Sequence, residues 1–254
     1  MSSLAVVDIG SNSIKVAVLD RLSGRELVRA SEAVRLFPAA AGEVILSPET
    51  IEAAAQAVAR LVAKAKEQRA DPIVLLGTSA LRECVNRTAF DARLRALTGL
   101  GLTVVSGEVE ARLAADGVRS DPALAGYQHL FAFDLGGGSL EVMEIRGPRC
   151  TLARSFPLGS VRLTHTLLGG AASPISEPAQ LAFRLSVLKV LEDVIPAKVA
   201  ERAIIVGAGG AFSAVGLYLE AIGEPPIGGR LPMLRIRELK DKLCRMDAIE
   251  RRAL

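Results

Sequence analysis

The chain has 254 residues, half of them apolar, with 31 Lys and Arg against 28 Asp and Glu, two His, three Cys and no Trp. That suits two modest domains or one large one, with cores built from Ala, Val, Leu and Ile. A net charge of +3 is too small to argue for nucleic acid, three isolated cysteines exclude a disulfide scaffold, and two histidines without a CxxC exclude a zinc site. No apolar run reaches membrane-spanning length, and Met1-Ser2-Ser3 leads straight into a strand. The expectation is a cytoplasmic protein with neither membrane nor nucleic acid as partner.

Residues 4–9, 14–20 and about 25–36 read as strands, the last two joined through Leu22-Ser23-Gly24. Ser47 and Pro48 predict a helix start; an Ala-rich amphipathic run from Ile51 to Ala70 follows, with Asp71-Pro72 read as its stop. Ile73–Leu76 reads as a buried parallel strand, and Gly77-Thr78-Ser79 turns into a helix carrying Arg82, Glu83 and Asn86. Helix Thr88–Leu97, strand Leu102–Val105 and a helix opened by Ser106-Gly107-Glu108 come next. Asp121–Gly126 is a linker, which places the domains at 1–124 and 125–254.

The second half repeats the three strands at 129–135, 140–146 and about 150–157, then turns at Pro157–Thr164 into a short helix. Ser176-Glu177-Pro178 opens a helix running to about Val199. Strand Ala203–Val206, a tight Gly207–Gly210 loop and a helix over 211–221 follow. After a Pro/Gly loop at 223–229, Ile236–Leu254 reads as one or two charged amphipathic helices. No fifth strand matching Leu102–Val105 can be placed.

The most informative stretch is Phe133–Met143. A strand ends in Asp134, three glycines (Gly136, Gly137, Gly138) offer backbone N–H groups to an anion, and Ser139 and Glu141 add a hydroxyl and a second carboxylate. Two acids beside a phosphate-sized nest make sense if a divalent cation neutralises them. The chain says nearly the same thing earlier: Asp8-Ile9-Gly10-Ser11-Asn12-Ser13 aligns without a gap on Asp134-Leu135-Gly136-Gly137-Gly138-Ser139. Val74–Ala80 and Ile204–Gly210 repeat in the same order. Duplicated halves facing each other would put two phosphate-binding hairpins across one cleft.

These motifs resemble the sugar kinase/Hsp70/actin superfamily and, within it, the exopolyphosphatase/guanosine pentaphosphate phosphatase (Ppx/GppA) family. The resemblance rests on six segments in order: Asp8–Ser13, Gly77–Arg82, Ser106–Arg112, Asp134–Glu141, Leu158–Thr164 and Gly207–Gly210. It implies an α/β fold of two tandem ribonuclease H-like (actin-like ATPase) domains of mixed sheet flanked by helices, with an interdomain cleft. The family pattern continues past Leu254, so the resemblance also implies a second domain shortened at its C-terminus.

What the resemblance implies about the site is specific. Glu110 matches the carboxylate that activates the attacking water. Asp134, Ser139 and Glu141 match positions holding a divalent metal and the terminal phosphate, with Asp8 as a further metal ligand and Mg²⁺ or Mn²⁺ as cofactor. Asn12, Arg82 and Arg162 match phosphate contacts, joined by the backbone of Gly10, Ser11, Ser13, Gly136–Gly138, Gly209 and Gly210. The expected activity releases the terminal phosphate of inorganic polyphosphate or guanosine pentaphosphate (pppGpp), with a homodimer left open. Val109, Leu140, Ala208 and Ala211 depart from the family pattern. They keep a second reading open, a catalytically weakened regulatory protein that binds polyphosphate or (p)ppGpp. An ATP-dependent sugar or acid kinase on the same fold is a third. His129 and His165 read as structural, and the basic residues after Arg235 as a solvated helix face.

Overall fold

The computed structural model describes residues 3–36, 43–195 and 203–254. Packing divides the chain into two compact units, Met1–Glu110 and Ala111–Leu254.

The first unit is built on a five-stranded sheet of β1 (Ser3–Ile9), β2 (Ser13–Asp20), β3 (Glu26–Ala33), β4 (Ala70–Gly77) and β5 (Leu102–Val104), in the order β3-β2-β1-β4-β5. β1, β2 and β3 form an antiparallel meander, and β4 and β5 add in parallel. The period-2 pattern buries Ala5, Val7 and Ile9 of β1 with Ile14, Val16 and Val18 of β2 on one face. Against that face lies α1 (Pro48–Glu67), whose Ala54, Ala55, Ala57, Val58, Leu61, Val62 and Ala65 are buried in the same core. The small alanines let this helix sit close to the sheet. As expected, Ser47 caps it, its hydroxyl accepting from the Thr50 N–H.

Two boundaries differ from the sequence reading. α1 ends at Glu67, and Asp71-Pro72 lies inside β4 with a cis peptide bond. The pairing steps from Ser3↔Ala70 to Ala5↔Ile73, so the strand takes up an extra residue there. Pro72, which has no N–H to give the ladder, is accommodated at that bulge. β3 stops at Ala33 because Val34 and Leu36 turn their N–H groups to the carbonyls of Asn12 and Ser11 (3.1 and 2.9 Å). α2 (Ser79–Glu83) and α3 (Arg87–Thr98) complete the unit.

The packing division falls within α4 (Gly107–Ser120), whereas the sequence reading put the boundary in the linker, now a short 3-10 turn at Pro122–Leu124. The second half of α4 explains the difference. Its Ala115 and Val118 pack with Leu130, Ala132, Met143 and Ile145 of the second sheet.

That sheet has β6 (His129–Leu135), β7 (Leu140–Arg146), β8 (Arg149–Phe156) and β9 (Ile204–Ala208) in the order β8-β7-β6-β9, the same topology as β3-β2-β1-β4. On the face away from α4, Phe131, Leu140, Val142 and Phe156 pack with Leu158, Leu191 and Val194. Helices α5 (Ser160–Leu168), α6 (Glu177–Leu191), α7 (Gly210–Ala221), α8 (Met233–Arg245) and α9 (Ala248–Arg252) follow around it. α6 ends at Leu191, short of the expected Val199; residues 196–202 lie outside the described residues. Gly207 and Ala208, read as loop, belong to β9.

Candidate active site

The two aligned segments form the same turn. In each, the glycine N–H closes on the serine carbonyl three residues on, Gly10 to Ser13 at 3.1 Å and Gly136 to Ser139 at 3.0 Å. The amides of Gly10 and Gly136 are therefore spent on the turn and do not serve as the expected anion donors. Asp8 and Asp134 stand two residues before these glycines, Asp8 on the sheet face away from α1 and Asp134 on the face that carries Leu130 and Ala132.

What backs each turn is different. In the second unit the start of α5 docks onto the glycine run. Ser160 N–H donates to the Gly136 carbonyl (2.9 Å), Val161 and Arg162 N–H groups to the Gly137 carbonyl (2.9 and 3.1 Å), and Arg162 Nε to the Gly138 carbonyl (2.8 Å). A trans peptide is planar, with its N–H opposite its C=O. Carbonyls 136, 137 and 138 aimed at α5 thus send the N–H groups of Gly137, Gly138 and Ser139 to the opposite side, the geometry of an anion nest. Gly159 permits the approach: a Cβ there would lie 2.3 Å from the Gly138 carbonyl carbon and 2.4 Å from that of Gly137. In the first unit an extended chain does this job, with Val34 and Leu36 on the Asn12 and Ser11 carbonyls. The Asn12 and Ser13 amides are turned outward in the same manner.

Beside the second turn, Asp134 and Glu141 are direct partners across the β6–β7 ladder, on one face of the sheet. Glu141 is buried, and Ser155 of β8 donates to its Oε1 at 2.7 Å. Like charges directly opposite repel, so a site that keeps both carboxylates suits a hard cation. Gly209 reaches the same spot from the end of β9. It has φ +93°, and a Cβ would meet the Leu135 carbonyl at 2.5 Å and Asp134 Oδ1 at 2.7 Å. Gly210, expected beside it on phosphate, is the exposed first residue of α7. The strand register also corrects the repeat. Asp8 pairs with Leu76 where Asp134 pairs with Ala208, so Gly77, one residue on, corresponds to Gly209 rather than Gly207.

In the first unit the residue opposite Asp8 is Lys15, not an acid. Among the described residues no three His, Cys, Asp or Glu side chains gather as metal ligands. Of the expected set, Asp8 stands in the first unit, and Asp134 and Glu141 are paired in the second. Mg²⁺ and Mn²⁺ favour oxygen ligands, and Mg²⁺ is commonly held by one or two carboxylates plus substrate phosphates, so Asp134 and Glu141 fit such an ion.

Glu110 lies in the first turn of α4, which starts at Ser106: the Ser106 hydroxyl accepts from the Val109 N–H (3.2 Å) and its carbonyl from the Glu110 N–H (2.9 Å). Arg82, projecting from α2, donates through Nη1 to Glu110 Oε2 at 2.5 Å and to the Val105 carbonyl at 3.1 Å. The structure thus brings Nη1 of Arg82 to the carboxylate and seats Nε of Arg162 on a backbone carbonyl of the turn. Ser155 and the role of Gly159 were missed in the sequence. Ser155 has no motif around it, while Gly159 stood inside a motif whose meaning needed α5 in place. His129 binds Glu144 (Nε2 to Oε1, 2.9 Å) at the other end of the β6–β7 ladder, a structural role as expected. Arg146, with help from His129 and Thr151, holds the Glu144 carboxyl below its usual range.

Two mixed sheets of one topology, each closed by an Asp-x-Gly turn, give the two-domain fold of the actin-like class. The sequence profile of the Ppx/GppA phosphatase family matches residues 15–254, and the chain belongs to that family. It is 35% identical over 203 residues to an uncharacterized protein of Streptomyces coelicolor, covering 74% of this chain and 56% of that protein. The chain thus spans little more than half the length of this curated relative. An exopolyphosphatase from Cytophaga hutchinsonii superposes with a TM-score of 0.82 at 21% identity, over 98% of this chain and 82% of its own. The Aquifex aeolicus PPX-GPPA enzyme does so with 0.78 at 23% identity, over 99% and 84%. An exopolyphosphatase-like protein gives 0.85 at 25%, over 98% and 80%. Among the described residues no helix is long and apolar enough to cross a membrane.

Proposed function

We propose that this chain releases the terminal phosphate of inorganic polyphosphate or pppGpp by attack of water. The observation that carries the reading is the duplicated turn, whose outward amides repeat in both units within a phosphatase family member. The Asn12 and Ser13 amides of the first unit, and the Gly137, Gly138 and Ser139 amides of the second, would each hold a phosphate. Asp134 and Glu141 would hold Mg²⁺ or Mn²⁺, which supplies positive charge against that building on the transferred phosphoryl group. Glu110 would take a proton from the water attacking the terminal phosphorus, as the bond to the bridging oxygen breaks and orthophosphate leaves. Such a base contributes on the order of 10²–10⁴ in rate.

The test is phosphate release from long polyphosphate, short polyphosphate and pppGpp, each with Mg²⁺ and with a chelator. Metal-dependent release from at least one substrate is expected, and none from any of them removes the hydrolase reading. A second reading, a binder without turnover, draws on Leu140. Where the family pattern has a threonine hydroxyl, this side chain is buried in the apolar cluster with Val142 and Phe156. Tight binding of polyphosphate without release would select it.

A further inference from the structure

The family resemblance assigns Arg82 to phosphate, but its Nη1 is taken by protein acceptors. Nη1 bridges Glu110 Oε2 (2.5 Å) and the Val105 carbonyl (3.1 Å), and both charged side chains are about four-fifths buried, at 21% and 19% exposed. The backbone is fixed at each end of the pair. The Leu81 and Arg82 N–H groups both bond the Thr78 carbonyl at 3.0 Å, the Val105 N–H bonds the Gly77 carbonyl at 3.1 Å, and Ser106 caps α4 one turn before Glu110. A charge-assisted hydrogen bond between two largely buried groups on anchored backbone restrains the carboxylate far better than an exposed pair could. A glutamate at a helix start otherwise samples many rotamers, and the contact must overcome the entropy lost in fixing one of them.

We propose that Arg82 is a positioning residue for Glu110: it holds the carboxylate in one orientation and lies outside the set of phosphate contacts. The proposal rests on the reading of Glu110 as the base. It separates from a phosphate-contact role because the two affect different quantities. A lost phosphate contact weakens binding, whereas a misaligned base slows turnover and leaves binding alone; a misplacement of about 1 Å can cost on the order of 10² in rate.

The experiment compares kcat and KM for Arg82→Met and Arg82→Lys with long polyphosphate and Mg²⁺. It also compares Kd for polyphosphate in Glu110→Gln and in the double variant Glu110→Gln/Arg82→Met, with thermal melting alongside. Arg82→Met should lower kcat by roughly 10- to 100-fold at a KM within about twofold of wild type. Arg82→Lys, which keeps the charge and a donor, should recover most of that loss. Both Glu110→Gln proteins should bind polyphosphate equally well. A KM raised tenfold or more at unchanged kcat, or a double variant that binds more weakly than Glu110→Gln, overturns the proposal. If Arg82→Met fails to fold, Arg82→Lys decides by the same split between kcat and KM. A Glu110→Gln enzyme as fast as wild type is a separate outcome: it removes the base assignment, and this proposal with it.

Discussion

The turns at Gly10–Ser13 and Gly136–Ser139 close with the same hydrogen bond and follow the same strand, yet one is backed by a stretch of extended chain and the other by a helix. Val34 and Leu36 reach the first through single N–H groups, and side chains at Ser11 and Asn12 are tolerated beneath them. The start of α5 comes down on the second with its whole first turn, and Gly137, Gly138 and Gly159 meet backbone to backbone. The glycine run thus serves the packing of a helix at least as much as the approach of an anion. A second contrast lies one residue pair away. Asp8 stands opposite Lys15 in the ladder, whereas Asp134 stands opposite Glu141, so the same position pairs opposite charges in one copy and two acids in the other.

The largest effect should come from crowding the helix-backed turn. Gly159→Ala places a Cβ against the Gly137 and Gly138 backbone and should destabilise the protein by about 3 kcal/mol in a urea or thermal melt. Gly10→Ala, whose Cβ would meet the Ser13 carbonyl at a milder 3.1 Å, should cost clearly less. Equal losses would mean that the two turns are not backed differently after all.

The charge contrast can be inverted. Without metal, Lys15→Glu sets two acids opposite each other in the first unit and should cost roughly 0.2–1 kcal/mol, while Glu141→Lys, which forces a longer cation into a buried position and takes the acceptor from Ser155, should cost more than the repulsion it relieves. With Mg²⁺ present, wild type should gain stability, and Glu141→Lys should gain none. A magnesium shift of the same size in both proteins would place the cation elsewhere.

The smallest effect should come from the far end of the same ladder. Glu144, with its carboxyl held below the ordinary 4.5, contributes stability that is present above that value and is lost as pH falls through the folded-state value. Glu144→Gln should therefore be slightly less stable than wild type at neutral pH, with the gap closing as pH drops below about 4.5. Its magnesium and polyphosphate responses should be those of wild type. A change in either response would break the separation between the two ends of the sheet.

Much of this was legible before any coordinates. The strand periodicity, the Ser47-Pro48 start and the ungapped repeat are local signals, and they gave both sheets in order. The boundaries that moved are those where a tertiary contact overrides a local rule. Pro72 reads as a helix stop until a bulge in β4 gives it a place, and β3 looks longer until Val34 and Leu36 are claimed by the turn. For the candidate site, the glycine-run motif pointed to Asp134 and Glu141, and the family resemblance to Glu110. Neither could show that Nη1 of Arg82 is taken by Glu110 or Nε of Arg162 by Gly138, because those contacts join segments 28 and 24 residues apart. Sequence identifies a cation near glycines; only the fold says which acceptor it has taken.

The central claim is that both turns present amides to one kind of ligand. The most direct measurement is an amide NMR titration of the Glu110→Gln protein with tripolyphosphate and Mg²⁺. The expected result is that the Asn12, Ser13, Gly137, Gly138 and Ser139 resonances shift together over one concentration range, while those of Gly10 and Gly136, bonded inside their turns, respond least. Shifts confined to other surfaces, with these five amides unmoved at saturation, would contradict it.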